Sequence, residues 1–445
     1  MTVEMLKYDL MSTRIKRNVA VPPREALGLV LLAFSLGRLA QAQEAPRQER
    51  VTLPAPAAMT RAQVIDFALL HSPLLSAASA RIAGAQGSLQ SAGAVPAPQL
   101  TPSISIGGEG RTTVLSQTIE TSGRREPRRR VALSELVVAE RFGEVARLDV
   151  VRTVNRAYSD LAQAQQRQVL FTEVAGIVRR TRDSVRKQVE VGANPAQDLV
   201  KTETELARAE SDVVRAEAET ETNRVVLNTV MGRTAEAPLE ASEPVAFVPV
   251  PLDSAALMQQ ASTRRPELAA AEARVSAAQE NIRLQRADYR PDVNVGLLQD
   301  TNLSGRNFLN PRSTGVSVGL SMPLFDTGRI RGQIRRAEAQ VREQEALREQ
   351  ARLDVLREVG SALASVRATE ALVGRYDRDI LPRAQELLNK AEFGYQRGGS
   401  TLLEYLEAQR TYRNTRTEYL SILGDNARAR AELERAIGGA LGPRP

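Results

Sequence analysis

Every seventh residue from Tyr405 is Tyr405, Tyr412, Tyr419, Asn426 and Leu433, and three places after each come Ala408, Thr415, Ile422, Ala429 and Ala436. A seam of that spacing belongs to a helix that packs against other helices along its whole length. The same seam stands 206 residues earlier, as Leu199, Leu206, Val213, Thr220 and Leu227 with Thr202, Ala209, Ala216, Asn223 and Val230. The chain therefore carries one helical hairpin twice, and the duplication frames every other residue.

The 445 residues would fill about three ordinary domains. Trp is absent, however, aromatics are 4% and charged residues 25%, a balance that suits an elongated coiled-coil body better than a thick core. Part of the net charge of +7 belongs to residues 1–42, which carry six Lys or Arg against three acids. The excess left on the remainder is small and no basic run is interleaved with aromatics, so nucleic acid is not expected as a partner. Residues 1–42 read as a signal peptide: Arg14, Lys16, Arg17 and Arg24 precede the apolar run Ala26 to Leu36, and Ala40-Gln41-Ala42 fits a cleavage site. A short anchor or buried helix is the alternative, although about 11 apolar residues are too few to span a bilayer. Cysteine is absent, which excludes disulfides and a lipid-bearing Cys after the leader.

After a Pro-rich arm, 43–59, the first repeat occupies 60–232. Its pattern predicts a helix from an N-cap at Thr60 to about Gly93, strands at Ser103 to Ile106 and Val114 to Ile119, and a helix of roughly 65 residues from Pro127 to Val191. A break at Gly192 to Pro195 follows, then a helix from Ala196 to Met231, ended by Gly232. A linker, 233–252, separates this from the second repeat, 253–440, and a tail, 441–445. The second repeat predicts a helix to Tyr289, two strands within Arg290 to Leu298 and Thr314 to Gly328, a helix from about Gly328 to Arg397, and the Gly398-Gly399 turn into the seam helix. Pro73 matches Pro266 and Pro98 matches Pro291 at an offset of 193, Gly123 matches Gly328 at 205, and Gly192 and Gly232 match Gly398 and Gly438 at 206. The offset is expected to grow only across the strand loops, where insertion costs least.

Lengths then constrain architecture. Two shorter helices laid end to end equal the long one, ~100 Å at ~1.5 Å per residue, so each repeat makes a wall of even height. Both strand pairs fall at the same end of it. Val316, Val318, Leu320, Met322 and Leu324 alternate with Ser317, Gly319 and Ser321, the pattern of a membrane strand with one lipid face. Four strands cannot close in lipid without leaving edges unpaired, so closure requires several copies.

This duplicated layout of helix, strand pair, long helix, turn and helix, with its glycines at 192, 232, 398 and 438, resembles the TolC-type outer membrane efflux family over nearly all of residues 60 to 440. The passage Ser116-Gln117-Thr118-Ile119-Glu120 through Ser122-Gly123-Arg124-Arg125 and Arg128-Arg129-Arg130 is similar to that of its cobalt-zinc-cadmium branch. The resemblance implies a mainly α fold with a small membrane β part. It implies a homotrimer in the outer membrane, extending into the periplasm, with a 12-stranded β-barrel, four strands per chain, on an α-barrel tunnel. The implied partners are outer membrane lipid, a periplasmic adaptor (membrane fusion protein) and an inner-membrane pump, expected to be of the resistance-nodulation-division type. The implied function is passive efflux of divalent heavy-metal cations, without catalysis or cofactor. A drug-efflux or protein-secretion duct is the alternative, and a periplasmic coiled-coil adaptor or scaffold is a rival of another class.

By the resemblance, the tunnel narrows at the helix turns. Gly192, Ala193, Asn194 and Pro195 form one tip, and Gly398, Gly399, Ser400 and Thr401 the other, both expected to meet adaptor or pump. Glu404 and Glu407 fall where the family places two acids that ring the narrowest point. Three residues apart, they share a helix face, and three copies of each would attract cations. Alternatively they are ordinary solvated helix acids. The family's closed-state lock maps onto Asp198, Tyr395 and Ser400, with Ser400 replacing an Arg whose part Arg397 is near enough to take. Asp198 equally fits as a cap of the helix that begins near Ala196. The cluster Arg124, Arg125, Arg128, Arg129 and Arg130 suits either a lipid headgroup surface and tunnel mouth or a solvated first turn. Tyr405, Tyr412 and Tyr419 read as seam packing. The lone His71 reads as structural, since no metal site can be built from it. No nucleophile elbow, phosphate loop or paired-His motif occurs.

Overall fold

The computed structural model describes residues 58–104, 110–250, 252–302 and 312–441; the expected signal peptide, most of the arm, the strand-loop tips and the tail beyond Leu441 lie outside them. The first repeat comprises β1 (Ala58–Met59), α1 (Arg61–His71), α2 (Pro73–Gly93), β2 (Gln99–Ile104), β3 (Gly110–Ile119), α3 (Arg125–Glu190) and α4 (Ala196–Met231). After β4 (Glu240–Ala241) come α5 (Ser254–Arg264), α6 (Pro266–Ala287), β5 (Asp292–Asn302), β6 (Arg312–Ser321), α7 (Arg329–Arg375), α8 (Leu381–Gln396) and α9 (Leu402–Ala436).

Thr60 caps α1 as expected, its hydroxyl accepting from the Gln63 amide while the Gln63 side chain accepts from the Thr60 amide. The single helices expected from Thr60 to Gly93 and from Asp253 to Tyr289 are each two. Ser72 and Arg265, both followed by proline, turn extended and break the run. These breaks are where the half-length helices meet. A Cβ on Gly232, at the end of α4, would lie 3.1 Å from the His71 carbonyl, and one on Gly438, past α9, 3.0 Å from the Arg264 carbonyl. Both glycines sit at positive φ, 77° and 78°. His71 is structural: its Nδ1 lies 2.9 Å from the Phe67 carbonyl and its ring stacks on Phe67.

Packing gives a wall four columns wide. The 66-residue α3 lies between α2 and α4 on one side and α6 and α9 on the other, and α7 and α8 complete the fourth column beside α6 and α9. The seam packs as the heptad requires: Tyr405, Ala408, Ile422, Asn426, Leu433 and Ala436 are all buried. At one end, β2-β3-β5-β6 form an antiparallel sheet in the order of the columns beneath. The duplication closes on itself through β3 and β5, where Val114 pairs with Leu298 and Thr118 with Asn294. The outer strands β2 and β6 leave open edges among the described residues.

The second long helix and the growth of the offset also depart from expectation. The helix expected from Gly328 to Arg397 is interrupted by a π-helical turn, Tyr376–Ile380. Gly123 to Gly192 spans one residue fewer than Gly328 to Gly398, so the offset does grow inside a helix, and one π turn absorbs one extra residue. The turn faces Tyr419, whose ring stacks on Tyr376 at 6.3 Å; burial, with a hydrogen bond to Asp377, pushes Tyr419 up to about 12. The linker, in turn, is packed against the wall. β4 pairs in parallel with β1, Leu239 and Val245 are buried, and the Tyr158 hydroxyl donates to the Met59 carbonyl while accepting from the Glu243 amide. Gln166 clasps Val245 by both its amide and its carbonyl.

Candidate functional site: the paired hairpin tips

The two tips are copies down to their hydrogen bonds. Ala193 and Asn194 donate to the Gln188 carbonyl at 2.7 and 3.3 Å, and Gly399 and Ser400 donate to the Gly394 carbonyl at 2.8 and 3.2 Å. Gly192 and Gly398 occupy the left-handed region, φ 75° and 74°, which lets each turn satisfy the last carbonyls of its helix. Their side chains differ at most matched positions, and one of these pairs, Gln188 and Gly394, joins the hairpins. A Cβ on Gly394 would meet the Ser400 side chain, whose own Cβ would lie at 3.1 Å. Gln188, its counterpart, accepts at Oε1 from Asn194 Nδ2 at 2.7 Å and from the Tyr395 hydroxyl at 3.3 Å. One carboxamide thus ties the first tip to the second hairpin, through a residue that no motif in the sequence singles out.

Around that tie the tips share a small core, Val185, Leu402 and Leu406 with Val189, Leu199 and Tyr395, and Tyr395 stacks on Tyr405 with centroids 5.4 Å apart and rings 8° from parallel. Burial raises the Tyr395 hydroxyl above its ordinary value, an Asn194 hydrogen bond lowers it, and the charge of Asp198 adds to the rise. The Asp198 carboxylate itself takes Lys201 at 3.1 Å. It makes no cap bond at Pro195, the N-cap of α4, and sits in the first turn, where the dipole favours it. Arg397 lies over the Phe393 ring at 4.0 Å and Ser400 is turned to Gly394, so no guanidinium joins Asp198 to Tyr395 here.

Glu404 and Glu407 are both exposed on the first turns of α9. Glu404 also closes a capping box: the Thr401 amide donates to its Oε2 at 2.8 Å, and its own amide donates to the Thr401 hydroxyl at 3.2 Å. Its carboxylate is thus held at the tip by a local bond worth about 1 kcal/mol to the helix. Above the tip the hairpins are joined by charges invisible to any heptad. Glu205, buried on α4, accepts from Arg410 of α9, with Nε at 3.1 Å, and from Arg208 at 2.9 Å; Asp212 takes Arg413 at 3.3 Å. Burial pushes Glu205 up, but its bonds to Arg410 and Arg208 outweigh that and leave its carboxyl below the usual range.

The arginines after β3 are spent on the corner between sheet and wall. Arg124 reaches Asp292 at 3.0 Å and Asp288 at 3.5 Å, Arg128 reaches Glu120 at 2.7 Å and the Ala92 carbonyl, and Arg125 the Gly93 carbonyl. Among the described residues there is no cluster of three His, Cys, Asp or Glu able to hold a metal, and no helix long and apolar enough to cross a membrane.

A four-column helical wall ending in an antiparallel sheet is the fold of long-walled outer membrane channels. The Campylobacter jejuni CmeC outer membrane channel matches it with a TM-score of 0.72 at 16% identity, over 86% of each chain. Residues 64–233 and 257–439 match the outer membrane efflux protein family, and the chain belongs to it. It is accordingly an outer membrane protein that extends into the periplasm and serves efflux, not an enzyme. Among its relatives, the cobalt-zinc-cadmium resistance protein CzcC of Cupriavidus metallidurans is 26% identical over 400 residues, 88% of this chain and 92% of that one. The pyoverdine export outer membrane protein OpmQ of Pseudomonas aeruginosa is also 26% identical, over 84% of each.

Proposed function

We propose that the chain is the outer membrane duct of a three-part efflux assembly, working as a homotrimer whose twelve strands close a barrel above a helical tunnel. The observation that carries this reading is the sheet: four strands in column order with both outer edges open, which lipid does not tolerate unless other copies pair with them. The tips, Gly192 to Pro195 and Gly398 to Thr401, are the surfaces offered to a periplasmic adaptor and an inner-membrane pump of the resistance-nodulation-division type. Energy comes from the pump, and the duct conducts passively.

Divalent heavy-metal cations are the proposed cargo, on the likeness to CzcC and on two exposed acids on α9 just past its tip. In a trimer Glu404 and Glu407 make two rings of three like charges, which concentrate cations and oppose full closure. Asp198 and Tyr395 lie at the closed gate. The equal identity to OpmQ favours a second reading, a duct for small organic solutes. Planar-bilayer recordings separate them. Glu404→Gln with Glu407→Gln is expected to lower the cation-to-anion permeability ratio severalfold, and an unchanged ratio refutes the acidic rings. Metal sensitivity of a deletion strain, restored by the wild type, distinguishes the cargo.

A further inference from the structure

The arginines that matter at the membrane are not the ones most conspicuous in sequence. α7 opens RIRGQIRR, placing Arg329, Arg331, Arg335 and Arg336 in its first two turns with no acid in the first. A helix N-terminus already carries about half a positive charge, so this arrangement opposes the dipole where acids are the rule. Arg331 is answered by Asp326 at 3.1 Å. Arg329 reaches only Gln333, and Arg335 and Arg336 make no ion pair among the described residues; all are exposed. Asp326 compensates the helix start by accepting from the Gly328, Ile330 and Arg331 amides, but Arg329, Arg335 and Arg336 remain exposed without an ion pair among the described residues, and such an excess of cations marks a place where an external anion belongs.

Three further observations say which anion. Leu324 and Phe325, between β6 and α7, are 76% and 86% exposed, and Tyr289 stands beside them with its hydroxyl donating to Asp326 at 2.8 Å. Apolar and aromatic side chains directly above cations are the profile of a bilayer interface. Side chains on a helix lean toward its N-terminus, which for α7 is the sheet end, so Arg335 and Arg336 lean back toward Phe325, whereas Arg329 turns to Gln333. Arg335 and Arg336 start ~10 Å below the helix end, a depth their stems recover toward a headgroup layer some ~5–8 Å thick. Finally, if β6 closes on the next copy's β2, the helix facing α7 is that copy's α2, which contains Arg81 and no acid to neutralise it.

We propose that Arg329, Arg335 and Arg336 of α7 bind the phosphate headgroups of anionic glycerophospholipids in the inner leaflet of the outer membrane, with Phe325 and Leu324 at the acyl boundary. This rests on the membrane-barrel reading above. The full chain is reconstituted into vesicles of phosphatidylethanolamine alone or with phosphatidylglycerol, and bound lipid is counted by native mass spectrometry after extraction. Wild type retains phosphatidylglycerol selectively and melts several degrees higher in the mixed vesicles. Arg329→Gln, Arg335→Gln and Arg336→Gln together weaken that retention on the order of a hundredfold, at about fivefold per arginine. Equal retention of both lipids by the wild type, or retention unaffected by the triple variant, overturns the proposal. So does equal stabilisation by inorganic phosphate in phosphatidylethanolamine vesicles, which would make the face a free-anion site. Resistance to alkaline extraction is scored in parallel: a wild-type chain stripped from the vesicles defeats the barrel reading itself, whereas an inserted chain without lipid preference defeats only this inference. If the variant fails to insert, the wild-type comparison of the two vesicles still decides.

Discussion

Gly192, Gly232, Gly398 and Gly438 all hold positive φ, yet their surroundings differ. Nothing lies within 4 Å of a Cβ built on Gly192, whereas one on Gly438 would press at 3.0 Å on a backbone carbonyl that cannot swing aside. Gly192→Ala is therefore expected to cost only the backbone term, about 1–2 kcal/mol. Gly438→Ala should add a clash and a displaced helix junction, reaching about 3 kcal/mol or more. Denaturant unfolding of the solubilised protein measures both, and equal costs would show that the junction does not constrain Gly438. Glu205 supplies a second residue-scale prediction. Its folded carboxyl is held below the ordinary 4.5, so its contribution to stability is present above that value and lost as pH falls through the lowered one. Glu205→Gln should melt lower than wild type at neutral pH, with the gap closing in acid below about 4.5. A gap independent of pH would mean the Arg410 bond contributes by shape rather than charge.

Among the elements, the second long helix is the one whose sequence and structure disagree most instructively. Heptad periodicity made it continuous from Gly328 to Arg397, but it must fit the same height as α3 with one residue more between its flanking glycines. A π turn takes up the residue while keeping α8 in register with α9, and its placement at Tyr376 brings that ring onto Tyr419. Deleting the exposed Arg378 should thus restore a plain α-helix and leave the assembled protein in the outer membrane. Deleting Glu370, about two turns earlier, should rotate everything beyond it by about 100° off its seam until the π turn, and reduce assembly sharply. Heat-modifiable oligomers on gels report both. Loss of assembly in both variants would mean the π turn has a role of its own.

At the scale of the whole molecule, one chain builds a sector. The sheet's edges are open, and Val316, Val318 and Leu320 on its outer strand are 75%, 73% and 70% exposed. If that face meets lipid, Val316→Arg with Val318→Arg should cost about 2–4 kcal/mol per residue near the bilayer midplane and abolish insertion. Ser317→Arg, on the opposite face, should insert. Fractionation separates these outcomes, and insertion of the double variant would reverse the assigned faces.

Within the chain, the duplication determined the element order, the tips and the capping glycines, because periodicity, turn chemistry and positive φ are local demands that each repeat states twice. Thr60, Gly192, Gly232 and the 66-residue α3 were legible for that reason. The breaks at Ser72 and Arg265 were signalled by their prolines, but their purpose appears only where α4 and α9 end against them. What the tertiary structure alone decided are meetings between residues far apart in the chain: Gln188 with Tyr395, Glu205 with Arg410, the linker with Tyr158 and Gln166. Hydrogen bonds and ion pairs of this kind have no period and no preferred spacing, so no pattern in the sequence announces them. The same holds for the arginines: Arg124 and Arg128 look available until the fold brings Asp292 and Glu120 to them, while Arg329, Arg335 and Arg336 of α7 gain no ion pair among the described residues.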